Sequence, residues 1–196
     1  MNNDKLPRCS WAKNKNFLMQ QYHDSEWGRP CFNDQQLFEL FSLEIMQAGL
    51  SWQTILNKRL ALRQAFADFD YQQVCCLAAK MPVLLQNAAI IRNRQKITAI
   101  INNAQIIAQL HANQQTFTTY LWKFVGGLPI QHHFTSSQEI PSSDPLSQKI
   151  SRQMKKDGFK FAGPVVIYSL LQAAGLVNDH ETSCFLYDRI RLESEK

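Results

Sequence analysis

Residues 88–111 read AAIIRNRQKITAIINNAQIIAQLH, and this stretch decides the fold. Ile97, Ile100, Ile101, Ala104, Ile107 and Ala108 recur at the period of a helix with one buried face. The apolar turn AAII leads into RNRQK, so Arg92, Arg94 and Lys96 stand at the helix start. Free backbone N–H groups there, together with these cations, suit an anion such as a DNA phosphate. A solvated charged face is the plainer reading of the same residues. A second basic group, KKDGFKF, contributes Lys155, Lys156 and Lys160.

The flanking sequence continues the helical pattern. Asp34 reads as the N-cap of QQLFELFSLEIMQAGL, where Gly49 permits a tight stop. Ser51 can cap a second helix running to Phe66, with Trp52 in its first turn. YQQVCCLAA, PVLLQNA and TFTTYLWKFV read as further helical pieces, and residues 126–143 as a loop. Asp144-Pro145 places a cap before Pro at the first helical position, opening a helix to about Lys156. Pro164 starts a final buried helix to about Ala174. Gly and Pro number only 7 each, which argues against a β-sandwich or barrel. The expectation is one all-α domain over 1–196, with a helical core at roughly 34–175.

The 196 residues, 45% hydrophobic and 19% charged, exclude a disordered chain. The net charge of +5 suits a polyanionic partner without requiring one. The first residues, MNNDKLPRCSW, contain no apolar leader core. The longest apolar run, 163–177, is interrupted by Tyr168, Ser169 and Gln172, and is too short to span a bilayer. An odd count of 5 cysteines without a leader suggests a reducing cytoplasm and no membrane partner.

His180 and Cys184 are four residues apart, on one face of a helical turn, and Cys9 and His23 lie near the other end. Such a Cys₂His₂ set suits tetrahedral Zn²⁺ with no open position, a structural clip between the termini. A buried thiol and a hydrogen-bonded histidine at each end is the competing reading. Cys75 and Cys76 read as helix core, and His132 and His133 as solvated. Glu44 lies on the apolar stripe Leu37, Phe41, Ala48, so its carboxylate needs a partner, either a ligand in a pocket or a structural donor. Trp11, Tyr22, Trp27 and Trp52 cluster early in the chain, as core residues or as faces that stack on a nucleobase.

RCSW, YHDSEWGRP, LFELFSLEIMQAGLSW, AAIIRNRQKI, GFKFAGP and GLVNDHETSC together resemble the 3-methyladenine DNA glycosylase I family, of the helix-hairpin-helix superfamily, over residues 8–187. The resemblance implies zinc ligands at Cys9, His23, His180 and Cys184, joining segments 8–30 and 176–187. It also implies a base-pocket carboxylate at Glu44, stacking by Trp52 and Tyr22, and Trp11 and Trp27 near the pocket. Arg92, Arg94, Lys96 and Lys160 become candidate DNA-backbone contacts. The implied activity is monofunctional hydrolysis of the N-glycosidic bond of N3-methyladenine in alkylated duplex DNA, by a monomer and without a lyase step. Three departures stand out. Ile45 follows the pocket carboxylate where relatives commonly have Gly, Ala89 replaces the usual hairpin Gly, and the segment between Cys9 and His23 is slightly longer than in some relatives. Met19 is the nearest match to a second pocket tyrosine. A zinc-containing DNA-binding protein without catalysis is the alternative reading, and a small-molecule-binding helical domain a third.

Overall fold

The computed structural model describes residues 6–194. Its helices are α1 (Phe17–Ser25), α2 (Asp34–Gln47), α3 (Trp52–Ala65), α4 (Tyr71–Val74), α5 (Met81–Gln86), α6 (Arg94–Ala112), α7 (Phe117–Trp122), α8 (Pro145–Lys156), α9 (Pro164–Ala173) and α10 (Tyr187–Ser194). The all-α expectation needs one small correction. β1 (Ile130–Gln131) pairs in parallel with β2 (Val177–Asn178), tying the loop after α7 to the segment after α9. No helix is long and apolar enough to cross a membrane among the described residues.

The central element is α2, which is buried from Leu37 to Met46 and packs against α3, α6, α7 and α9. Its cap is Asn33, one residue before the expected Asp34; Asn33 Oδ1 accepts the Gln36 N–H at 2.9 Å. Asp34 instead caps α7, a helix far along the chain. Its carboxylate accepts the N–H groups of Phe117 and Thr118 at 2.8 and 2.9 Å, together with the Thr118 hydroxyl and His111 Nε2. Burial alone would raise the Asp34 pKa, but these hydrogen bonds hold it below the usual carboxylate range.

At the other end of α2, Gly49 adopts φ +79° and reverses the chain. Ser51 then caps α3 as expected, its Oγ accepting the Thr54 N–H. The turn between α5 and α6 carries Arg92 and Arg94 on an exposed surface. Ala89 lies outside the left-handed region, so replacing glycine there costs no backbone strain. Lys96 does not face outward with the arginines. It is 6% exposed, and its ammonium donates to the Met46 and Ala48 carbonyls at 2.9 and 2.6 Å. It therefore satisfies the carbonyls at the α2 C-terminus, where a positive charge is favoured, and is withdrawn from any phosphate.

Other expectations are also corrected. Between α4 and a short 3₁₀ turn, Cys75 is half-buried against the core while Cys76 is exposed, and their Sγ atoms approach to 3.7 Å. His132 is half-buried and bonded to Asp179 through Nδ1 at 2.6 Å, whereas His133 is exposed as expected while its Nδ1 meets the Tyr187 hydroxyl at 2.5 Å. After α3, Ala67, Asp68 and Phe69 form a left-handed turn without glycine. Phe66 and Phe69 stack at 5.7 Å on either side of it, fully buried.

Replacing Lys96 with Met leaves two carbonyls without their charged donor. The expected loss is about 2 kcal/mol of unfolding free energy, read by urea denaturation. An unchanged urea midpoint would contradict the capping role.

Candidate functional site

Two features meet across Trp11 and Trp27, whose rings lie against His23 and His180: a buried Cys/His cluster and an aromatic cavity. Cys9, His23, His180 and Cys184 are all buried, and their ligand atoms lie within 4.8 Å of one another. Sγ of Cys9 is 3.3 Å from His180 Nδ1, and Sγ of Cys184 is 3.5 Å from both His180 Nδ1 and His23 Nε2. A tetrahedral ion with ordinary sulfur and nitrogen bond lengths has S···N edges of about 3.5 Å.

The outer partners fit the same purpose. His23 Nδ1 meets Asp24 Oδ1 at 2.8 Å, and Arg8 grips that carboxylate with two nitrogens. Against the effect of burial, the Arg8 and His23 hydrogen bonds lower the Asp24 pKa. His180 Nε2 donates to the Trp27 carbonyl at 3.2 Å. Each imidazole thus spends its proton outward and turns a bare nitrogen toward the thiols. The four side chains could therefore hold a metal ion.

Backbone contacts close the same seam. The Gly28 N–H donates to the Gln172 carbonyl, and the Cys31 N–H to the Ala174 carbonyl. Gly175, at φ +68°, passes so close to Arg29 that a Cβ would sit 2.3 Å from a backbone carbon.

Beside the cluster lies a cavity of about 270 Å³. Trp11, Tyr22, Trp27, Glu44 and Trp52, all singled out in the sequence, line it. Trp11 and Trp27 meet edge to face at 5.0 Å, and the Tyr22 and Trp52 ring centroids are also 5.0 Å apart. Glu44 is 5% exposed and has neither a hydrogen-bond nor an ion-pair partner among the described residues. Burial alone pushes its pKa up from 4.5 to about 8. Burial, and then the Glu44 and Glu26 charges, also raise the Tyr22 pKa and keep its phenol neutral. The arrangement is a flat aromatic slot with one carboxyl group that lacks a positive partner.

Over residues 11–187 the chain matches the family model for methyladenine glycosylase. The chain belongs to that family. It is 43% identical over 183 residues to DNA-3-methyladenine glycosylase 1 of Escherichia coli (strain K12), covering 93% of this chain and 97% of that protein. It is 37% identical over 178 residues to DNA-3-methyladenine glycosylase of Haemophilus influenzae (strain ATCC 51907 / DSM 11121 / KW20 / Rd), covering 90% and 96%. A crystal structure of 3-methyladenine DNA glycosylase I (TAG) superposes with a TM-score of 0.89 at 43% identity, over 92% of this chain and 99% of that one. A variant TAG in complex with 3-methyladenine superposes at 0.88 with 33% identity, over 93% and 98%.

Within this glycosylase fold, Met19 does line the cavity, whereas Ile45 is fully buried and is not among the lining residues. The Ile45 departure therefore belongs to the core. Gln47, Ser137, Ile140, Ser169 and Gln172 also line the cavity without having been singled out as site residues. Ser169 and Gln172 carried a signal, as polar residues three apart in an otherwise apolar helix. Glu181 ties the loop carrying Ser137 to the N-terminal segment, accepting the N–H groups of Ser10 and Ser137 at 2.8 and 2.9 Å. Arg92, Arg94 and Lys160 are exposed, and the Lys160 backbone is anchored to Asn103 on α6.

Two outcomes follow from this geometry. Cys184→Ser should remove bound metal and lower the melting temperature by about 10 °C, roughly the loss of a buried cross-link in a chain this size. Metal analysis and calorimetry on the same preparation check it; equal metal content and stability would exclude a metal centre. For Glu44, the raised native pKa means that the unfolded chain ionises first, so stability falls as pH climbs from 4.5 toward 8. Glu44→Gln should therefore gain about 3 kcal/mol at pH 7 and nothing near pH 4. A gain that did not depend on pH would mean that the carboxyl is not desolvated.

Proposed function

We propose that this chain is a monofunctional DNA-3-methyladenine glycosylase. It flips N3-methyladenine out of alkylated duplex DNA and hydrolyses its N-glycosidic bond, leaving an abasic site. The observation that carries this reading is the buried, unpaired carboxyl of Glu44 in a slot of aromatic rings. Such a slot is short of one positive charge, and a methylated adenine in DNA supplies it. Trp52 and Tyr22 stack on the flat cation, and Trp11 and Trp27 complete the wall. Glu44 accepts from the exocyclic amine and complements the charge.

The chemistry asks little of the protein. Water adds at C1′ of the deoxyribose as the C1′–N9 bond breaks. The bonding pair leaves with N9 and cancels the charge on the base, and the water proton passes to solvent. Because the base is already a good leaving group, binding can do most of the selection. Nothing in this sequence of events needs a lysine Schiff base, so the proposed reaction has no lyase step.

Cys9, His23, His180 and Cys184 would hold one zinc ion. The ion supplies a structural cross-link between segments 8–30 and 176–187 and takes no part in the cleavage. The α5–turn–α6 unit serves as the helix-hairpin-helix grip. Arg92 and Arg94 face the DNA backbone there, and Lys160, between α8 and α9, joins them from a segment whose backbone is held to Asn103 of α6. The proposed enzyme acts as one domain and as a monomer.

The test is base release from methylated duplex DNA, resolved by chromatography. 3-Methyladenine should appear in preference to 7-methylguanine, and Glu44→Gln should reduce its release at least tenfold while leaving affinity for undamaged DNA intact. For the wild type, kcat/KM should rise with pH through about 8 as free Glu44 ionises. The kcat profile should rise at lower pH, because a bound cation favours the carboxylate. No release by folded protein would leave a DNA-binding protein without catalysis, and flat profiles from pH 6 to 9 would remove Glu44 from the charge recognition.

A further inference from the structure

Gln172 lies on α9 and lines the cavity. Its Nε2 donates to Asp179 Oδ2 at 2.8 Å. Asp179 is 1% exposed and also receives the Tyr168 hydroxyl at 2.7 Å and His132 Nδ1 at 2.6 Å. A carboxylate ringed by three donors acts as an acceptor, so the amide can turn only its NH₂ end toward it. The side-chain orientation of Gln172 is thereby settled by chemistry. Its Oε1 has no hydrogen-bond partner among the described residues, and the side chain forms part of the cavity wall.

The acceptors that line the cavity thus include the carboxyl of Glu44 and the amide oxygen of Gln172, against flat aromatic faces. An exocyclic amine has two N–H groups, and one carboxylate oxygen satisfies one of them. We propose that Gln172 Oε1 accepts the second amine N–H of the extruded base, making Gln172 a specificity-determining residue that favours 6-amino over 6-oxo purines. This rests on the glycosylase reading above. A 6-oxo purine would set its own oxygen against the Gln172 carbonyl, and the Asp179 bond prevents the amide from turning over to offer a donor. Asp179 is the positioning residue in this arrangement; it reaches the base only through Gln172.

Gln172→Met preserves length and removes the carbonyl. The experiment compares it with the wild-type full chain in binding free 3-methyladenine and free 3-methylguanine, read by quenching of the cavity tryptophans. Base release from methylated DNA and thermal melting are measured alongside. The expected result is about tenfold weaker binding of 3-methyladenine, with 3-methylguanine little changed or improved, so that the preference between them narrows. Equal weakening of both bases would show a wall residue without a recognition role, and unchanged binding would also overturn the proposal. As a readout that does not depend on the variant's stability, the side-chain amide ¹⁵N resonance of Gln172 in the wild type should shift when 3-methyladenine is added. No shift on saturation overturns the contact. A wild type that binds neither base and releases none would overturn the glycosylase reading itself, whereas normal wild-type release with an unaffected Gln172→Met overturns only the role given to Gln172.

Discussion

Segments 8–30 and 176–187 are held together by four buried side chains whose nitrogen and sulfur atoms lie within 4.8 Å, and the aromatic cavity depends on that closure. The N-terminal segment brings Trp11, Tyr22 and Trp27 to the cavity, and α9 brings Ser169 and Gln172. Neither wall stands alone. The segment that carries His180 and Cys184 also hands neighbouring side chains to the cavity walls: Asp179 bonds Gln172, and Glu181 bonds the backbone of Ser137. His180 lies between them and points into the cluster. A single short segment thus sets the cross-link and two parts of the cavity at once.

The second constraint is electrostatic. Burying Glu44 without a partner is costly, and the cavity around it offers aromatic faces, a neutral phenol and uncharged polar side chains rather than a cation. An arginine or lysine beside it would have relieved that cost and filled the site. The nearby cations are spent elsewhere: Arg59 pairs with Glu26 and Glu39, and Lys96 binds main-chain carbonyls at the end of the same helix. The structure leaves the charge of Glu44 for a ligand to answer, which is the opposite of what stability alone would favour.

Much of this is legible in the residues. The period of 97–108 yields α6, Ser51 and Asp144-Pro145 mark the starts of α3 and α8, and the family motifs single out the four clustered ligands and five cavity residues. Lys96 groups in sequence with Arg92 and Arg94 because the three share a charge, yet the structure buries it. Its spacing told otherwise, since Lys96, Ile100, Asn103 and Ile107 follow one helical face and all are buried. Asp34 caps a helix more than eighty residues away, and no local pattern announces such a partner. The left-handed turn at Ala67–Phe69 has no glycine to mark it, and tertiary packing of Phe66 and Phe69 over-determines it. Ser169 and Gln172 were visible as polar breaks in an apolar run. That polarity argues against a membrane span, and equally marks the wall of an internal cavity.

Closure across nearly the whole length of the chain also bears on synthesis. A ribosome releases Trp11, Tyr22 and Glu44 well over a hundred residues before Gln172, His180 and Cys184. The cavity cannot be assembled on a partly translated chain, even after α2, α3 and α6 have left the exit tunnel. An interrupted translation product carrying the basic α5–α6 turn would still lack one wall of the base slot and half of the cross-link. The order of residues thus makes synthesis past Cys184 a condition for forming the cavity and the cluster beside it.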